Sequence, residues 1–391
     1  MLARQRVAAI FMVVLSCYTG VFIVNISLSI IPDRPNEATK REEGRKKYDN
    51  ELIASAKASG FKPLLNSNAI AQFIKQNPDS EWYPVGGHQD QDTYYCNEGY
   101  GLIKYKSDRL GLRNDDQAWS EIENGTPTAL FIGDSFTHGA CVEDQYSLTS
   151  VFKEVHKTNV VNLGIGGNSP YEYIASLKLL GKPLVKRFHN IKMVVLVFYA
   201  NDNIGSNKKS ENILLNPVLP LNSSDLLNGK IAISSTYADN FNKVSELIYA
   251  GQPNPDSFVE HLKTYFFIRN LRARLFSFMA ITNIPSNFEL SPTGQAISSL
   301  SKVCSKQCQL VIAYIPNSNF WRPDSRSDEY RNLIQRHAQK RKIPFVDASV
   351  VIDQNDLSDY APIGPHLSRA GYTKVGKLIS SKLHSLAKLA D

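Results

Sequence analysis

The stretch that decides the fold is residues 128–139, TALFIGDSFTHG. Its first five residues are apolar or β-branched, and Gly133 and Asp134 after them are residue types that favour a turn. A short, continuously apolar run bounded by such a turn predicts a strand buried on both faces of a parallel sheet. Ser135 would then stand directly after the strand, where open α/β sheets build their functional sites.

Apolar runs of the same kind recur along the chain, separated by helical patterns. They lie at residues 160–163, 193–198, 310–315 and 344–346. After the second run, Ser169 predicts an N-cap, Pro170 the first helical position and Glu172 the partner that completes a capping box. Further helices are predicted at about residues 325–342 and 368–387. Strands alternating with helices predict an α/β fold, a doubly wound parallel sheet flanked by helices.

The amino terminus contains one long uncharged segment. Residues 7–31 include no Asp, Glu, Lys or Arg, and as a helix they would span about 37 Å, enough to cross a bilayer. A cleaved signal peptide is the alternative, but its apolar region would be shorter and would end at small residues. We therefore predict a transmembrane helix, with residues 1–31 as a membrane anchor. Basic residues flank the segment on both sides, so the positive-inside rule does not decide its orientation.

Composition divides the rest of the chain into three regions. Residues 32–60 are rich in Lys, Arg, Glu and Asn, which predicts a polar stalk. Residues 61–126 have an irregular pattern of short strands and loops, and we predict an N-terminal extension that packs on the main domain. Residues 127–391 form that main domain. Its strand–helix alternation breaks over about 205–300, which predicts an insertion.

The formal charge of +7 and the sequence pI near 8.9 raise the question of a nucleic-acid partner. The basic residues are scattered and often adjoin acidic ones, as in Lys40-Arg41-Glu42-Glu43. No compact basic motif with interleaved aromatic residues appears, so we expect no nucleic-acid partner.

Four cysteines lie outside the predicted anchor: Cys96, Cys141, Cys304 and Cys308. An even number suits disulfides in an oxidising compartment, and four cysteines permit three pairings. We predict Cys304–Cys308, because the two are close in sequence, and Cys96–Cys141, because the two lie in segments flanking the strand at 128–132. Four reduced cysteines in a cytoplasmic domain are the alternative. The spacing lacks the second pair or nearby histidine of a zinc site, so we expect no metal.

Four short blocks resemble those of the SGNH/GDSL hydrolase family and occur in that family's order. Gly133-Asp134-Ser135 resembles its nucleophile block, and NLGIGG at residues 162–167 resembles the block whose glycine N–H joins the oxyanion hole. Ala200-Asn201-Asp202 resembles the block whose asparagine donates to the same oxyanion, and HLSRAGY at residues 366–372 resembles the block of the catalytic histidine. A further stretch, YKSDRLGLR at residues 105–113, resembles one found in some membrane-linked bacterial members.

The resemblance implies a role for four residues. Ser135 would be the nucleophile and His366 its base, while the N–H groups of Ser135 and Gly167 and the amide of Asn201 would form the oxyanion hole. Ester cleavage needs this combination, because the hydroxyl must be activated by a base and the developing oxyanion must meet hydrogen-bond donors. Gly167 could instead permit a tight turn, and Asn201 could cap the segment that follows it.

The third member of the triad departs from the family pattern. The family usually has an aspartate three residues before the histidine, where this chain has Ile363. Asp359 and Asp356 lie in the preceding loop, and we predict Asp359 as the acid that orients His366. Alternatively, Asp359 is a solvated loop acid, and a backbone carbonyl orients the ring and leaves a Ser-His dyad.

Together these features predict an SGNH/GDSL-type serine esterase without a cofactor. It would remove acyl groups from esters of an extracytoplasmic glycan or lipid through a Ser-His acyl-enzyme. We expect a single-pass protein of the cytoplasmic membrane with its catalytic domain in the periplasm. An O-acyltransferase of extracellular polysaccharide, with envelope polysaccharide machinery as its partner, is one alternative. A noncatalytic glycan-binding protein is another, because Ile363 replaces the usual acid.

Overall fold

The computed structural model describes residues 12–13, 15–24, 37–77, 87–203, 235–249, 288–304, 307–324 and 326–388. The chain groups into two compact units, one formed by Met1–Lys40 and Ala250–Ser286 and the other by Arg41–Tyr249 and Asn287–Asp391. The second unit contains every predicted site residue.

The predicted anchor at residues 1–31 lies largely outside the described residues. Those that are described, 12–13 and 15–24, are helical. Among the described residues, no helix has both the length and the apolar character needed to span a membrane.

The region predicted as a polar stalk is a helix for most of its length. Helix α1, Glu37–Ala58, spans 22 residues. From Arg41 onward it belongs to the second compact unit. The Arg45 guanidinium donates hydrogen bonds to the carbonyl oxygens of Asn97 and Ile363, both at 3.2 Å. Composition did not predict these contacts of Arg45. A fully solvated charged helix and a charged helix that docks through an arginine can have the same composition.

Residues 61–126 contain short strands, as the irregular pattern predicts, and also two helices that the pattern did not predict. Three strands form a small sheet in the order β1-β2-β3, with β1 parallel to β2 and β2 antiparallel to β3. Their bounds are β1 Lys62–Pro63, β2 Asp92–Tyr94 and β3 Lys104–Lys106. Two helices accompany them, α2 Ser67–Gln76 and α3 Gln117–Glu123.

The main sheet confirms the predicted parallel α/β architecture. Five strands pair in the order β5-β4-β6-β7-β8, and every pairing is parallel. Their bounds are β4 Thr128–Ile132, β5 Asn159–Asn162, β6 Ile191–Tyr199, β7 Gln309–Ile315 and β8 Phe345–Asp347. All residues of β4 and β5 are buried, as expected for strands covered on both faces.

Helices flank this sheet. They are α4 Ser135–His138, α5 Leu148–His156, α6 Pro170–Ser176, α7 Lys182–Arg187, α9 Pro292–Leu300, α10 Ser327–Lys340 and α11 Arg369–Lys388. Helix α8, Ser235–Tyr249, packs instead against α2 and β1. A π-helical turn, Leu177–Gly181, joins α6 to α7. The predicted capping box is present at α6, because the Glu172 carboxylate accepts a hydrogen bond of 2.8 Å from the backbone N–H of Ser169.

The predicted insertion at about 205–300 extends too far toward the carboxyl terminus. Helix α9 packs against α6 and α10 of the main domain, and its residues Ala296, Ile297 and Leu300 are fully buried. Within the predicted insertion, α8 is also described, and Tyr249 donates a hydrogen bond of 3.2 Å to the Phe61 carbonyl. The remainder, residues 204–234 and 250–287, lies outside the described residues.

The strand order reverses at β4. The chain passes from β4 to β5 on one side and then to β6 on the other side of β4. In open α/β sheets such a reversal leaves a crevice outside the carboxyl ends of the strands. Ser135 follows β4 at this point.

Candidate active site

Ser135 is the first residue of α4, at a tight turn between strand and helix. Asp134 caps the helix, and its carboxylate accepts a hydrogen bond of 2.9 Å from the Phe136 N–H. Only glycine fits at position 133, since a Cβ there would collide with the Thr137 side chain and the Val197 carbonyl. The turn therefore holds the Ser135 hydroxyl at the carboxyl end of β4.

His366 lies against this hydroxyl. Its Nε2 is 2.9 Å from the Ser135 Oγ. The loop before α11 holds the ring in place, with the Ala361 N–H donating to the His366 carbonyl at 2.8 Å and the Phe136 ring packed 4.9 Å from the imidazole. The structure therefore brings the predicted nucleophile and the predicted base together.

Glu98 occupies the other side of the imidazole. Its Oε1 is 2.8 Å from the His366 Nδ1, and its Oε2 accepts the backbone N–H of His366 at 3.0 Å. Glu98 is 4% exposed and lies in the loop between β2 and β3. Because an ionised carboxylate only accepts hydrogen bonds, Nδ1 carries the proton and Nε2 is left to accept from Ser135.

A glycine makes room for this carboxylate. Any Cβ at position 364 would fall on the side chain of Glu98. The backbone next to Gly364 also contacts the loop that contains Glu98. The Ile363 N–H donates to the Glu98 carbonyl at 3.1 Å. The segment before His366 is therefore built around Glu98 as well as around the histidine.

The prediction that Asp359 orients His366 is wrong. Asp359 is buried, and its carboxylate accepts hydrogen bonds from the Lys374 Nζ at 2.5 Å and the Asp353 N–H at 3.0 Å. Asp356 caps the short turn Leu357–Asp359 through a hydrogen bond of 2.8 Å from the Ser358 N–H. Sequence reasoning missed Glu98 because it lies 268 residues before its partner, outside the family's four blocks. Its position two residues after Cys96 was the one available signal.

The charges around His366 act in opposite directions. Burial lowers its pKa, but the charge and hydrogen bond of Glu98 and the charge of Asp134 outweigh burial and Arg45, so the pKa is raised above its ordinary value. Burial also raises the pKa of Asp134 to about 6, against the lowering effects of the Phe136 N–H and His366. The imidazole is therefore a stronger base than a solvated histidine.

The two other oxyanion candidates lie on either side of β4. Gly167 follows β5 and adopts a φ of +81°, which favours glycine. Asn201 is exposed in the 3₁₀ turn Ala200–Asn203, which follows β6. Since β5 and β6 both pair with β4 in parallel, both loops emerge at the edge of the sheet where Ser135 lies. Their roles in an oxyanion hole remain predictions.

The loop that contains Gly167 packs against the N-terminal part of the chain. The Ser67 N–H donates a hydrogen bond of 3.1 Å to the Gly166 carbonyl, and the Ser67 hydroxyl donates to the Asn168 side chain. Tyr95 also packs on Gly166, where a Cβ would collide with the tyrosine hydroxyl. Residues 61–126 thus contact both the oxyanion loop and, through Glu98, the histidine.

The structure forms both predicted disulfides. Cys96 pairs with Cys141, with the Cα atoms 5.1 Å apart, and Cys304 pairs with Cys308, with the Cα atoms 5.4 Å apart. Glu98, Cys141 and His366 form the one cluster of three potential metal donors found within the described residues. Cys141 is part of a disulfide, and Glu98 and His366 bind each other, so all three groups already have partners within the protein.

One protein family and several solved structures are similar to this chain. The model of the GDSL-like lipase/acylhydrolase family matches residues 131–374, which include Ser135 and His366 but not Glu98. Among solved structures, the M. smegmatis aryl esterase and a carbohydrate acetylesterase from Sinorhizobium meliloti each share 12% identity with a TM-score of 0.34, over 66% of this chain and 99% of theirs. A Clostridium thermocellum family 3 carbohydrate esterase shares 15% identity with a TM-score of 0.34, over 68% and 100%. A comparison with curated proteins found no match.

Proposed function

This chain belongs to the GDSL-like lipase/acylhydrolase family, and we propose that it cleaves acyl esters with Ser135 as nucleophile, His366 as base and Glu98 as the acid that orients His366. Membership confirms the resemblance of the four sequence blocks and makes the chain a serine esterase of the SGNH/GDSL type. The observation that carries the proposed mechanism is the continuous series of contacts from the Ser135 Oγ to His366 and on to Glu98, at 2.9 and 2.8 Å.

Acylation begins when Ser135 attacks the carbonyl carbon of the ester. The His366 Nε2 takes the hydroxyl proton as the Oγ–carbon bond forms, and the carbonyl oxygen becomes an oxyanion. The N–H groups of Ser135 and Gly167 and the Asn201 amide are the proposed donors to that oxyanion. The tetrahedral intermediate then breaks its bond to the alcohol oxygen, which leaves with the proton from His366.

Deacylation repeats the sequence with water. His366 takes a proton from the water as the water oxygen attacks the acyl carbon, and it returns the proton to the Ser135 Oγ when the acid is released. Glu98 does not itself take the proton. Its role is to fix the tautomer of His366 and to stabilise the imidazolium that forms in both steps.

The proposed substrate is an acyl ester of an extracytoplasmic glycan or lipid. Two features support a location outside the cytoplasm: the uncharged segment at residues 7–31, which suits a membrane anchor, and two disulfides, which persist in oxidising compartments. We propose a single-pass protein with its catalytic domain in the periplasm. A sugar hydroxyl in place of water would make the same acyl-enzyme an O-acyltransferase, with the envelope polysaccharide machinery as a partner.

Labelling the full chain with a fluorophosphonate tests the proposed function. We expect one covalent adduct on Ser135, none in Ser135→Ala, and a large loss in His366→Ala, because only a serine paired with a base reacts quickly. Asp356→Asn serves as the matched control and should label like the wild type. Folded wild-type protein that fails to label would overturn the proposal and favour a noncatalytic glycan-binding role. Acyl transfer to an added glycan in preference to water would identify the transferase.

A further inference from the structure

The Cys96–Cys141 disulfide joins the two parts of the chain that hold opposite ends of the triad. Cys96 lies two residues before Glu98, in the loop between β2 and β3. Cys141 lies just after the turn that ends α4, the helix that begins at Ser135. The bond therefore joins the loop that contains Glu98 to the turn that follows Ser135, although the two cysteines are 45 residues apart.

The bond also touches the histidine. The Cys141 Sγ is 3.6 Å from the His366 Nδ1, the same nitrogen that faces the Glu98 Oε1 at 2.8 Å. Cys141 is completely buried, while Cys96 is half-buried. The sulfur thus lies beside the hydrogen bond between Glu98 and the imidazole.

The remaining contacts of the acid's loop are noncovalent. The Asn97 side chain accepts hydrogen bonds from the N–H groups of Gly99 and Gly101, both at 3.0 Å, and donates to the Asp49 carboxylate at 2.9 Å. The Arg45 guanidinium lies 3.7 Å from the Glu98 carboxylate. These contacts shape the loop, but apart from the disulfide no bond among the described residues ties it covalently to the nucleophile's turn.

We propose that Cys96 and Cys141 are positioning residues for His366, and that esterase activity requires their disulfide. This inference rests on the proposed function. An intact bond holds Glu98 at the His366 Nδ1. When the bond is lost, Glu98 moves away from the imidazole, and the sulfur of Cys141 competes with the carboxylate for Nδ1.

The reduction that breaks the bond needs an external dithiol. Its thiolate attacks the more accessible sulfur of Cys96, and Cys141 leaves as a thiolate beside His366. The second thiol of the dithiol then attacks the mixed disulfide, which releases Cys96 and leaves the dithiol oxidised. The two protons of the dithiol pass to Cys96 and Cys141, so the protein gains two electrons and two protons.

The other disulfide supplies a matched control. We expect Cys96→Ser/Cys141→Ser to lower the ester kcat/KM by about 10- to 100-fold, the effect of a small misplacement of a catalytic group. Cys304→Ser/Cys308→Ser should keep wild-type activity, because that pair does not contact the triad. Treating this control variant with dithiothreitol then reduces only Cys96–Cys141. Counting thiols verifies the reduction, since Cys17 is free beforehand, and activity should fall as the two new thiols appear.

Two further readouts separate positioning from general stability. Glu98 helps to raise the pKa of His366, so loss of the disulfide should move the acid limb of the pH–rate profile to lower pH. In a Glu98→Gln background, loss of the disulfide should have little further effect, because the group it positions is already gone. An unchanged acid limb, or the same fold-loss in both backgrounds, would overturn the inference. Thermal unfolding measured in parallel identifies variants that fail to fold. If Cys96→Ser/Cys141→Ser does not fold, treatment of the folded Cys304→Ser/Cys308→Ser variant with dithiothreitol provides the same test.

Failure of this inference and failure of the proposed function give different results. If wild-type protein does not label at Ser135, the proposed function fails. If wild-type protein labels, and the reduced protein labels at the same rate with the same pH profile, only the role of the disulfide fails.

Discussion

The charges next to His366 set the pH range in which the site works. As a general base, His366 must be neutral, so activity falls as the pH drops below its pKa. Burial lowers this pKa, and the charge of Glu98, its hydrogen bond and the charge of Asp134 raise it above the ordinary value. The carboxylate thus strengthens the base and also confines its activity to higher pH.

At the residue scale, we predict that Glu98→Gln lowers kcat by about 10³- to 10⁴-fold, the size of effect seen when a triad acid becomes an amide. The amide can donate to Nδ1 and so favour the wrong tautomer, and it no longer stabilises the imidazolium. Removing the negative charge also lowers the pKa of His366, so the acid limb of the residual activity should move to lower pH. Steady-state ester hydrolysis across a pH series measures both effects.

Asp356→Asn is the matched control for this change, because Asp356 is an exposed acid in the loop before His366. It should leave both the rate and the pH profile unchanged. Wild-type kcat in Glu98→Gln would show that Glu98 does not serve as the acid of the triad.

At the element scale, α1 contacts the candidate site through Arg45 and through Asp49, whose carboxylate accepts a hydrogen bond from the Asn97 side chain. Arg45 donates to two backbone carbonyl oxygens. One belongs to Asn97, directly before Glu98, and the other to Ile363, three residues before His366. The positive charge of Arg45 opposes the rise in the pKa of His366. A helix whose composition resembles a solvated spacer therefore lowers, through Arg45, the pKa of the proposed base.

We predict that Arg45→Gln moves the acid limb of the pH–rate profile to higher pH, the direction opposite to that of Glu98→Gln. The reason is that removal of a nearby cation raises the pKa of the imidazole. Glu51→Gln, on an exposed position of the same helix, should leave the profile unchanged. A shift of Arg45→Gln toward lower pH would contradict this prediction and would indicate that Arg45 acts mainly by holding Glu98 in place.

At the scale of the whole molecule, partly buried polar contacts join the N-terminal extension, residues 61–126, to other parts of the chain. One of them links α8 to the segment before β2, where the His88 Nε2 is 2.7 Å from the Ser245 Oγ. That hydroxyl donates to the Phe241 carbonyl at 3.0 Å, so the histidine is the donor in its own contact. Burial, and then the charge of Lys62, lower the pKa of His88 to about 4.

This histidine should make the stability of the molecule depend on pH. The pKa of His88 is about 4 in the folded state and about 6.5 in the unfolded chain. As the pH falls from 6.5 to 4, the unfolded state therefore binds the proton first and stability is lost. The loss from pH 7 to pH 4.5 should be on the order of 2 kcal/mol. We predict that His88→Gln removes this part of the pH dependence.

Urea unfolding at the two pH values measures the difference. His189→Gln, at an exposed position, is the control and should retain the wild-type pH dependence. If His88→Gln loses as much stability on acidification as the wild type, the contact between His88 and Ser245 does not contribute to the pH dependence.

The sequence by itself determined the sheet and two members of the triad. Continuous apolar runs such as residues 193–198 predict buried parallel strands, and a serine placed after the strand at 128–132 must emerge at the carboxyl edge of that sheet. Ser135 and His366 were predicted from the resemblance of their sequence blocks to those of the SGNH/GDSL family, and each block lies within a few residues of chain. The capping box of Ser169 and Glu172 is likewise local.

Only the tertiary structure decided the acid, the role of α1 and the end of the insertion. Glu98 meets His366 across 268 residues of chain, and such a contact depends on how the loop between β2 and β3 docks on the main domain. The residues next to Glu98 and next to His366 do not predict how that loop docks. Asp359 seemed suitable by its closeness in sequence, but the fold pairs it with Lys374. Local periodicity specifies strands and helices, whereas a hydrogen bond between distant segments is specified by the packing of the whole unit.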